Sequence, residues 1–579
     1  MNIKRRNNPL AHSVLQRDEA GEGINILSNI YFTRGILSKS ELDYDLKNLL
    51  PYADLKGIQA AVECLYEAIT TQKHIMIIGD FDADGATSTA LAVRALRAFG
   101  ASTVSYLVPN RFEYGYGLTP EIVAVAAERS PDVIMTVDNG ISSIEGVDAA
   151  KKLGIKVVIT DHHLVGDVLP EADAIVNPNQ PGDHFASKML AGVGVCFYLM
   201  LALRAYLREK NWFEAQHLNS PNMAQWLDIV ALGTVADVVP LDYNNRILVS
   251  QGLRRINARQ CVPGILALLE ISKKNPSMVN ASTLGFSVAP RLNAAGRLDD
   301  MSVGIECLLT DNTMKARTLA QQLHDLNQER REIEEGMKLQ AFKNLNQLDL
   351  NEKTLSLGLC IYDPTWHQGV IGILAARVKE KYHRPVIAFA KTEDGTLKGS
   401  GRSIEGVHIR DVLDSVAKRH PNLIEKFGGH AMAAGLSLLE KDFQIFSIAF
   451  DEALSAVISE DLLHKELVTD GELLDEDFSV RTAELLNEGG PWGQGFPEPL
   501  FDGVFEIVDQ RIVGERHLKL SLRRPEGKRV INAIAFNIDT KAWPNHHCNQ
   551  VKIVYRLDIN EYQTLKNIQL LIEYIEVMS

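Results

Sequence analysis

Thiols are few: Cys64, Cys196, Cys261, Cys307, Cys360 and Cys548 are scattered over 579 residues without one C-x-x-C pair. That excludes a disulfide-stapled scaffold and a zinc ribbon, and it fits a reducing compartment. Positive charge is not in excess. With 60 Lys and Arg against 74 Asp and Glu, the formal charge is −14, so there is no uniformly basic coat and any polyanion site has to be local. A long apolar run is also missing. The longest predominantly apolar uncharged stretch, Met189 to Leu203, has 15 residues and is broken by Gly192 and Gly194, short of the roughly 20 that span a bilayer. After Lys4, Arg5 and Arg6, residues Asn7 to Gly23 hold no apolar block of the secretory kind. These absences point to a soluble, cytoplasmic protein without membrane attachment.

What is present is an ordinary globular composition, 46% hydrophobic and 23% charged with 41 Gly and 21 Pro, in a chain long enough for three or four domains at roughly 100 to 200 residues each. From about residue 74 to 180, short β-branched runs alternate with helical stretches. The predicted strands are 74–79, 103–108, 132–137, 156–160 and 174–176; the predicted helices between and after them are 86–99, 120–129, 143–153, 188–209 and 223–235. That alternation is the signature of a doubly wound α/β domain with a parallel sheet. Residues 312–345 contain no Pro and carry Leu319, Leu323, Leu326, Ile333 and Met337 at near-heptad spacing, which predicts one long helix acting as a spacer. A second α/β unit follows, with strands at 356–362 and 386–390, a helix at 371–381, a Gly-rich turn and a helix near Val412. Beyond about residue 465, strands are predicted at 504–508, 517–522, 530–536, 551–559 and 568–577 without long helices between them, as in a small OB-like barrel.

Charge separates at that last boundary. Residues 460–488 hold ten acids against two bases, whereas 510–530 hold seven bases (Arg511, Arg516, Lys519, Arg523, Arg524, Lys528 and Arg529) against Glu515 and Glu526. A basic face on a small barrel suits the backbone of a single strand, although a solvated hairpin has the same composition.

The chemistry concentrates where strands end. The first predicted strand runs into Asp80-Phe81-Asp82-Ala83-Asp84-Gly85, the third into Asp138-Asn139-Gly140 and the fourth into Asp161-His162-His163. In a parallel sheet these ends share one edge, where ligands bind. Asp237 lies at the end of a predicted helix, where an acid opposes the macrodipole and needs another interaction to hold it. Any one Asp here reads as a helix cap; four segments coinciding do not. Carboxylates with one or two imidazoles and no thiolate favour Mn²⁺ or Mg²⁺ over structural zinc, and several carboxylates imply two ions. Such a pair, roughly 3.5 to 4 Å apart, serves phosphoester hydrolysis by lowering the pKa of a water and clamping the attacking and leaving oxygens.

These motifs, in this order, with the segment Gly233 to Leu241, Arg291-Leu292-Asn293-Ala294-Ala295-Gly296-Arg297 and Gly428-Gly429-His430-Ala431-Met432-Ala433-Ala434-Gly435, resemble the DHH phosphoesterase superfamily and, within it, its RecJ branch from about residue 50 to the end. The resemblance implies a single-stranded-DNA-specific 5′ to 3′ exonuclease releasing 5′ mononucleotides in DNA repair and recombination. It implies a segment 1–50 of unclear role, a DHH catalytic domain over 51–310, a connecting helix over 311–347, a DHH-associated substrate-binding domain over 348–458 and an OB-like single-strand-binding domain over 459–579.

Carried over by residue, Asp82 binds one ion and Asp84 the other, Asp138 bridges them, and His162 and Asp237 complete the second ion's shell. Asp80 is a further site acid, and where smaller superfamily members place a His ahead of the Asp pair, this chain has Asp80-Phe81. His163 lies beside the ligands, touching phosphate or orienting a neighbour. Arg111, with Phe112, Tyr114 and Tyr116, Arg291, Arg297, Ser400, Arg402, Gly429 and His430 are the substrate-binding candidates. The implied partners are single-stranded DNA, a single-strand-binding protein and a helicase, with the enzyme a monomer. Two rivals are a DHH-family oligonucleotide or cyclic-dinucleotide phosphodiesterase, which would have little use for a basic barrel, and a non-catalytic Cdc45-like DNA-binding scaffold, which need not keep the acids and imidazoles. His546-His547-Cys548 reads as a surface turn, because no fourth ligand is nearby.

Overall fold

Ile75–Gly79 and Val133–Val137 are buried at every position. A strand keeps both faces dry only in a parallel sheet covered by helices on either side. The computed structural model describes residues 2–6, 23–109, 117–347, 356–392, 395–540, 542–562 and 565–578. In it the strands lie in the order Val104–Leu107, Ile75–Gly79, Val133–Val137, Lys156–Thr160, Ala174–Val176, all parallel. Each falls within one residue of its predicted bounds. The winding reverses between Ile75–Gly79 and Val133–Val137, so the ligand crevice of such a sheet opens beyond Gly79 and Val137.

The helix predicted from residue 86 begins earlier, at Ala83, because the Asp82 side chain caps it, accepting from the N–H groups of Asp84 at 2.9 Å and Gly85 at 3.0 Å. The helix predicted from 188 begins at Gly192, and the one predicted from 223 opens as a single 3₁₀ turn before Leu227–Ala236. Between residues 243 and 309 the chain forms helices that periodicity did not reveal, among them Tyr243–Asn257, Pro263–Ile271 and Ala289–Leu298. Thr313–Gln347 is the expected long helix, burying Leu323, Met337, Ala341 and Leu345.

By packing, the chain forms two units: one of Arg5–Gly296, Asp300–His324 and Val468–Ser579, the other of Met1–Lys4, Arg297–Asp299 and Asp325–Leu467. The first holds the parallel sheet and a closed five-stranded barrel of Phe501–Val513, His517–Arg523, Val530–Ala535, Gln550–Tyr562 and Leu565–Met578. The barrel has the OB-like form expected, with Val530–Ala535 parallel to Leu565–Met578. Its core, around Phe478, Phe505, Leu520 and Tyr555, also takes in Ile30 from the helix Gly23–Thr33. Helix 23–33 of the N-terminal segment, to which the sequence assigned no role, therefore packs into the barrel's core.

In the second unit, Lys426–Gly429, Ala433–Leu439, Thr396–Arg402, Val386–Lys391 and Leu359–Tyr362 form a mixed sheet in that order. This corrects one expectation. The Gly-rich turn expected after strand 386–390 is instead largely strand, Thr396–Arg402, paired with the Gly-rich strand Ala433–Leu439, and only His430 to Met432 lie between the arms of the hairpin that Lys426–Gly429 forms with it. Glycines hid the alternation that marks a strand. A Cβ on Gly399 would lie 2.6 Å from the Phe389 ring and 2.7 Å from Leu436, so the buried face has no room for a side chain there.

Candidate active site

Asp80 and Asp82 follow the strand Ile75–Gly79, Asp138 follows Val133–Val137, and His162 and His163 follow Lys156–Thr160, so neighbouring parallel strands deliver all five to one edge. Asp84 stands in the first turn of Ala83–Ala98, and Asp237 closes Leu227–Ala236. Three overlapping groups result: Asp80, Asp82 and Asp138; Asp84, His162 and Asp237; and Asp138, His162 and His163. Within each, candidate ligand atoms lie within 4.8 Å of one another. His162 Nε2 is 3.2 Å from Asp138 Oδ1 and 3.4 Å from Asp237 Oδ2. The donor set is carboxylate and imidazole without sulfur, which fits hard divalent cations.

Backbone contacts fix this cluster. Asp84 accepts from the first two amides of the helix Gly192–Glu209, Gly192 at 2.6 Å and Val193 at 2.9 Å. A Cβ on Gly192 would lie 2.6 Å from the Cβ and Oδ1 of Asp138, so only glycine lets that helix start against the carboxylate. Asp138 has φ 62°, a left-handed conformation that Asp tolerates. The N–H of Ala83 donates to Asn293 Oδ1 at 2.9 Å, which ties the acidic loop to the helix Ala289–Leu298.

Crowding shows in the electrostatics. Burial, then the charges of Asp84, Asp82, Asp237 and Asp80, push Asp138 well above the ordinary carboxylate range. Asp237 is raised in the same way, by burial and then Asp84, Asp82 and Asp80. Asp84 is raised by burial and Asp82 against the pull of its two amide donors. Acids held this close together ionise fully only beside cations, and divalent ions would reverse each shift.

Asp161 is buried and works differently. It accepts from the N–H of Ile141 at 2.9 Å, of His162 at 2.7 Å and of His163 at 3.1 Å, and its Oδ1 lies 2.7 Å from His163 Nδ1. Burial pushes Asp161 up, but the hydrogen bond and charge of His163 outweigh it and hold the carboxyl below its usual range. Burial pushes His163 down, but Asp161, Asp80 and Asp82 outweigh it, raising the imidazole to about 9. Asp161 was absent from the expected site. Its signal was its place in the triplet itself, since a carboxylate preceding two imidazoles can orient one of them.

The substrate candidates are not all placed alike. Arg111, Phe112, Tyr114 and Tyr116 lie outside the described residues. Arg291 is buried, with Nε 3.2 Å from His324 Nδ1 and a bond from Nη1 to the Ser287 carbonyl. Arg297 donates to the Gly369 carbonyl at 3.2 Å. Ser400 and Arg402 share a strand, with Arg402 Nη1 3.2 Å from Ser400 Oγ, beside the hairpin carrying Gly429 and His430. His546 and His547 are exposed while Cys548 is buried, and no group of three ligating side chains forms there among the described residues.

Comparison with known proteins fits this geometry. The model of the DHH family, N-terminal domain, matches residues 74–234, that of the DHHA1 domain 354–459 and that of the RecJ OB domain 469–574. Single-stranded-DNA-specific exonuclease RecJ of Salmonella typhimurium is 54% identical over 96% of this chain and 98% of its own length. The chain belongs to the RecJ family. The Haemophilus influenzae member is 52% identical over 99% of each chain. Among solved structures, that of RecJ in complex with Mn²⁺ from Thermus thermophilus has a TM-score of 0.79 at 30% identity, covering 100% of this chain and 79% of that one. A RecJ exonuclease structure bound to manganese has a TM-score of 0.58 at 34% identity, covering 71% of this chain and 97% of that one.

Proposed function

We propose that this chain is a metal-dependent exonuclease that degrades single-stranded DNA from its 5′ end to mononucleotides, in DNA repair and recombination. The observation that carries the reading is the convergence of acids and imidazoles from four segments on the crevice where the parallel sheet reverses its winding. Two divalent cations, Mn²⁺ or Mg²⁺, supply the chemistry of phosphodiester hydrolysis when bound, activating water and neutralising charge on the phosphate. Asp80 and Asp82 would hold one ion and Asp84, His162 and Asp237 the other; Asp138, grouped with Asp80 and Asp82 and 3.2 Å from His162, would serve both. His163, oriented by Asp161, would contact the scissile phosphate. Ser400, Arg402, Gly429 and His430 hold the strand's 5′ phosphate, with Arg111, Arg291 and Arg297 as further contacts to DNA.

The deciding experiment incubates the full chain with 5′-labelled single-stranded DNA, duplex DNA and RNA, with and without Mn²⁺. Labelled mononucleotide from the single strand alone, and only with metal, is the expected result; internal fragments or an uncut single strand would overturn it. With this substrate go a cytoplasmic location, a monomeric enzyme, and a single-strand-binding protein and a helicase as partners. No helix among the described residues is long and apolar enough to cross a membrane.

Two consequences are measurable. Because a methyl group on Gly192 would collide with Asp138, Gly192→Ala is expected to lower the rate at saturating Mn²⁺ at least about tenfold, or ~1.4 kcal/mol; a rate within twofold of wild type would show that the helix start can recede. On the barrel, Arg511 and Lys519 face each other across adjacent strands. Like charges opposite one another are unfavourable unless an anion answers them. Arg523 is paired with Glu506 at 2.8 Å and Arg529 is bonded to the Phe478 carbonyl, so the basic face is narrower than the count of bases suggests. Arg511→Ala with Lys519→Ala should reduce the salt slope of single-strand binding by about 1.4, because each phosphate that a base no longer neutralises takes roughly 0.7 from it. An unchanged slope would assign this face to something other than DNA.

A further inference from the structure

Asp237 ends one helix, and the chain turns through Val238, Val239, Pro240, Leu241 and Asp242 into the next, Tyr243–Asn257. Val238 has φ 61°. A β-branched residue in the left-handed region is strained, and strained backbone persists only where its surroundings fix it.

Here the surroundings come from the far end of the chain. The Leu241 N–H donates to the Gln494 carbonyl at 2.7 Å. Gly495, with φ 71°, lies so close that a Cβ there would be 3.1 Å from the Pro240 Cβ, and a Cβ on Gly493 would be 2.7 Å from Leu241 Cδ1. The Leu241 carbonyl is held too, accepting from Arg246 Nη1 at 2.9 Å. The Arg246 guanidinium lies 4.4 Å from the centroid of the Phe496 ring. Phe496 stacks on Trp492 with centroids 5.0 Å apart and planes at 15°, and Arg34 lies 5.3 Å from the Trp492 centroid. Arg34 is anchored in turn, paired with Asp470 at 2.8 Å and donating to the Pro497 carbonyl at 2.7 Å. A stack of arginine, phenylalanine, tryptophan and arginine thus braces the loop behind Asp237. Cation–π contacts of this kind gain strength when desolvated, and Arg246, Phe496 and the Arg34 side chain are all buried.

We propose that the segment 489–497 ahead of the barrel is a positioning element for Asp237: it fixes the loop that follows this carboxylate and so sets affinity for one of the two ions. The inference rests on the assignment of Asp237 as a ligand. A barrel that served only to hold DNA would need no bond to the backbone four residues beyond a metal-site acid. A contact to the loop that supports a ligand acts as the groups behind metal ligands generally do, by restricting the ligand's orientation before the ion arrives.

The test uses the full-length chain and Mn²⁺ itself. Binding of Mn²⁺ is followed by titration calorimetry in wild type, Gly495→Ala, Phe496→Leu and, as reference, Asp237→Ala. Gly495 is exposed, so its substitution leaves the core intact, while leucine keeps the apolar character of Phe496 but not its ring. Both variants are expected to bind one Mn²⁺ about tenfold more weakly and the other unchanged, the lower end of what groups supporting a ligand contribute. The Mn²⁺ concentration for half-maximal hydrolysis should rise by the same factor, with the rate at saturating metal within twofold of wild type. Wild-type Mn²⁺ affinity in both variants, with weakened binding in Asp237→Ala, overturns the positioning role. Equal weakening of both ions overturns it too, since that marks a general loosening of the fold. If Asp237→Ala leaves both affinities unchanged, the ligand assignment fails and takes this inference with it.

Discussion

Replacing Asp138 by alanine is expected to abolish hydrolysis of single strands in Mn²⁺ and in Mg²⁺, a loss of at least about a thousandfold, or ~4 kcal/mol of transition-state stabilisation. Asp138 lies in two of the three ligand groups and is the acid placed to join them. No neighbour can substitute, because Asp84, fixed by the amides of Gly192 and Val193, and Asp237, on the far side of His162, belong to the other ligand group and cannot swing to join the two. The fold should survive. Burial and the charges of Asp84 and Asp82 make an ionised Asp138 unfavourable in the absence of metal, so its removal relieves repulsion. The melting temperature in chelator should therefore equal or exceed that of wild type, and single-strand binding through the barrel should persist. Retention of more than about a tenth of the activity, a loss under ~1.4 kcal/mol, would sink the bridging role.

Direction of digestion needs a separate device, since two ions will cleave any phosphodiester delivered between them. Arg402→Ala is expected to slow degradation of 5′-phosphorylated strands about 10- to 100-fold while slowing 5′-hydroxyl strands little, as hydrogen bonds between charged groups contribute roughly 1.5 to 3 kcal/mol. The Arg402 guanidinium bonds to Ser400 Oγ and to the Gly401 carbonyl at 2.8 Å, which fixes its stem beside the hairpin of Gly429 and His430. A fixed planar donor suits a terminal phosphate. Comparing the two ends controls for general loss of DNA affinity, which would affect both alike. Equal slowing would show that Arg402 tracks the backbone elsewhere, leaving the end to Arg111, Arg291 or Arg297.

The sequence by itself determined the parallel sheet, the long helix, the five barrel strands and the sheet edge at which the acids and imidazoles gather. Those features are local: period-2 and near-heptad patterning report burial residue by residue, and in a parallel sheet a motif that ends a strand can only emerge at one edge. The triplet Asp161-His162-His163 was legible as chemistry, but not the division of labour within it, because whether a carboxylate binds an ion or orients an imidazole depends on what donates to it. The Ile141 amide that occupies Asp161 comes from another strand's loop. The Gly-rich strands 396–402 and 433–439 were misread for a related reason. A glycine facing a bulky neighbour such as Phe389 leaves no alternation to detect, and that neighbour lies across the sheet. Only the tertiary structure decided that helix 23–33 completes the barrel core and that residues 489–497 brace the loop after Asp237. Both pairings bring together residues more than 240 positions apart, and contacts at such separation are set by the packing of whole elements, which no local pattern records.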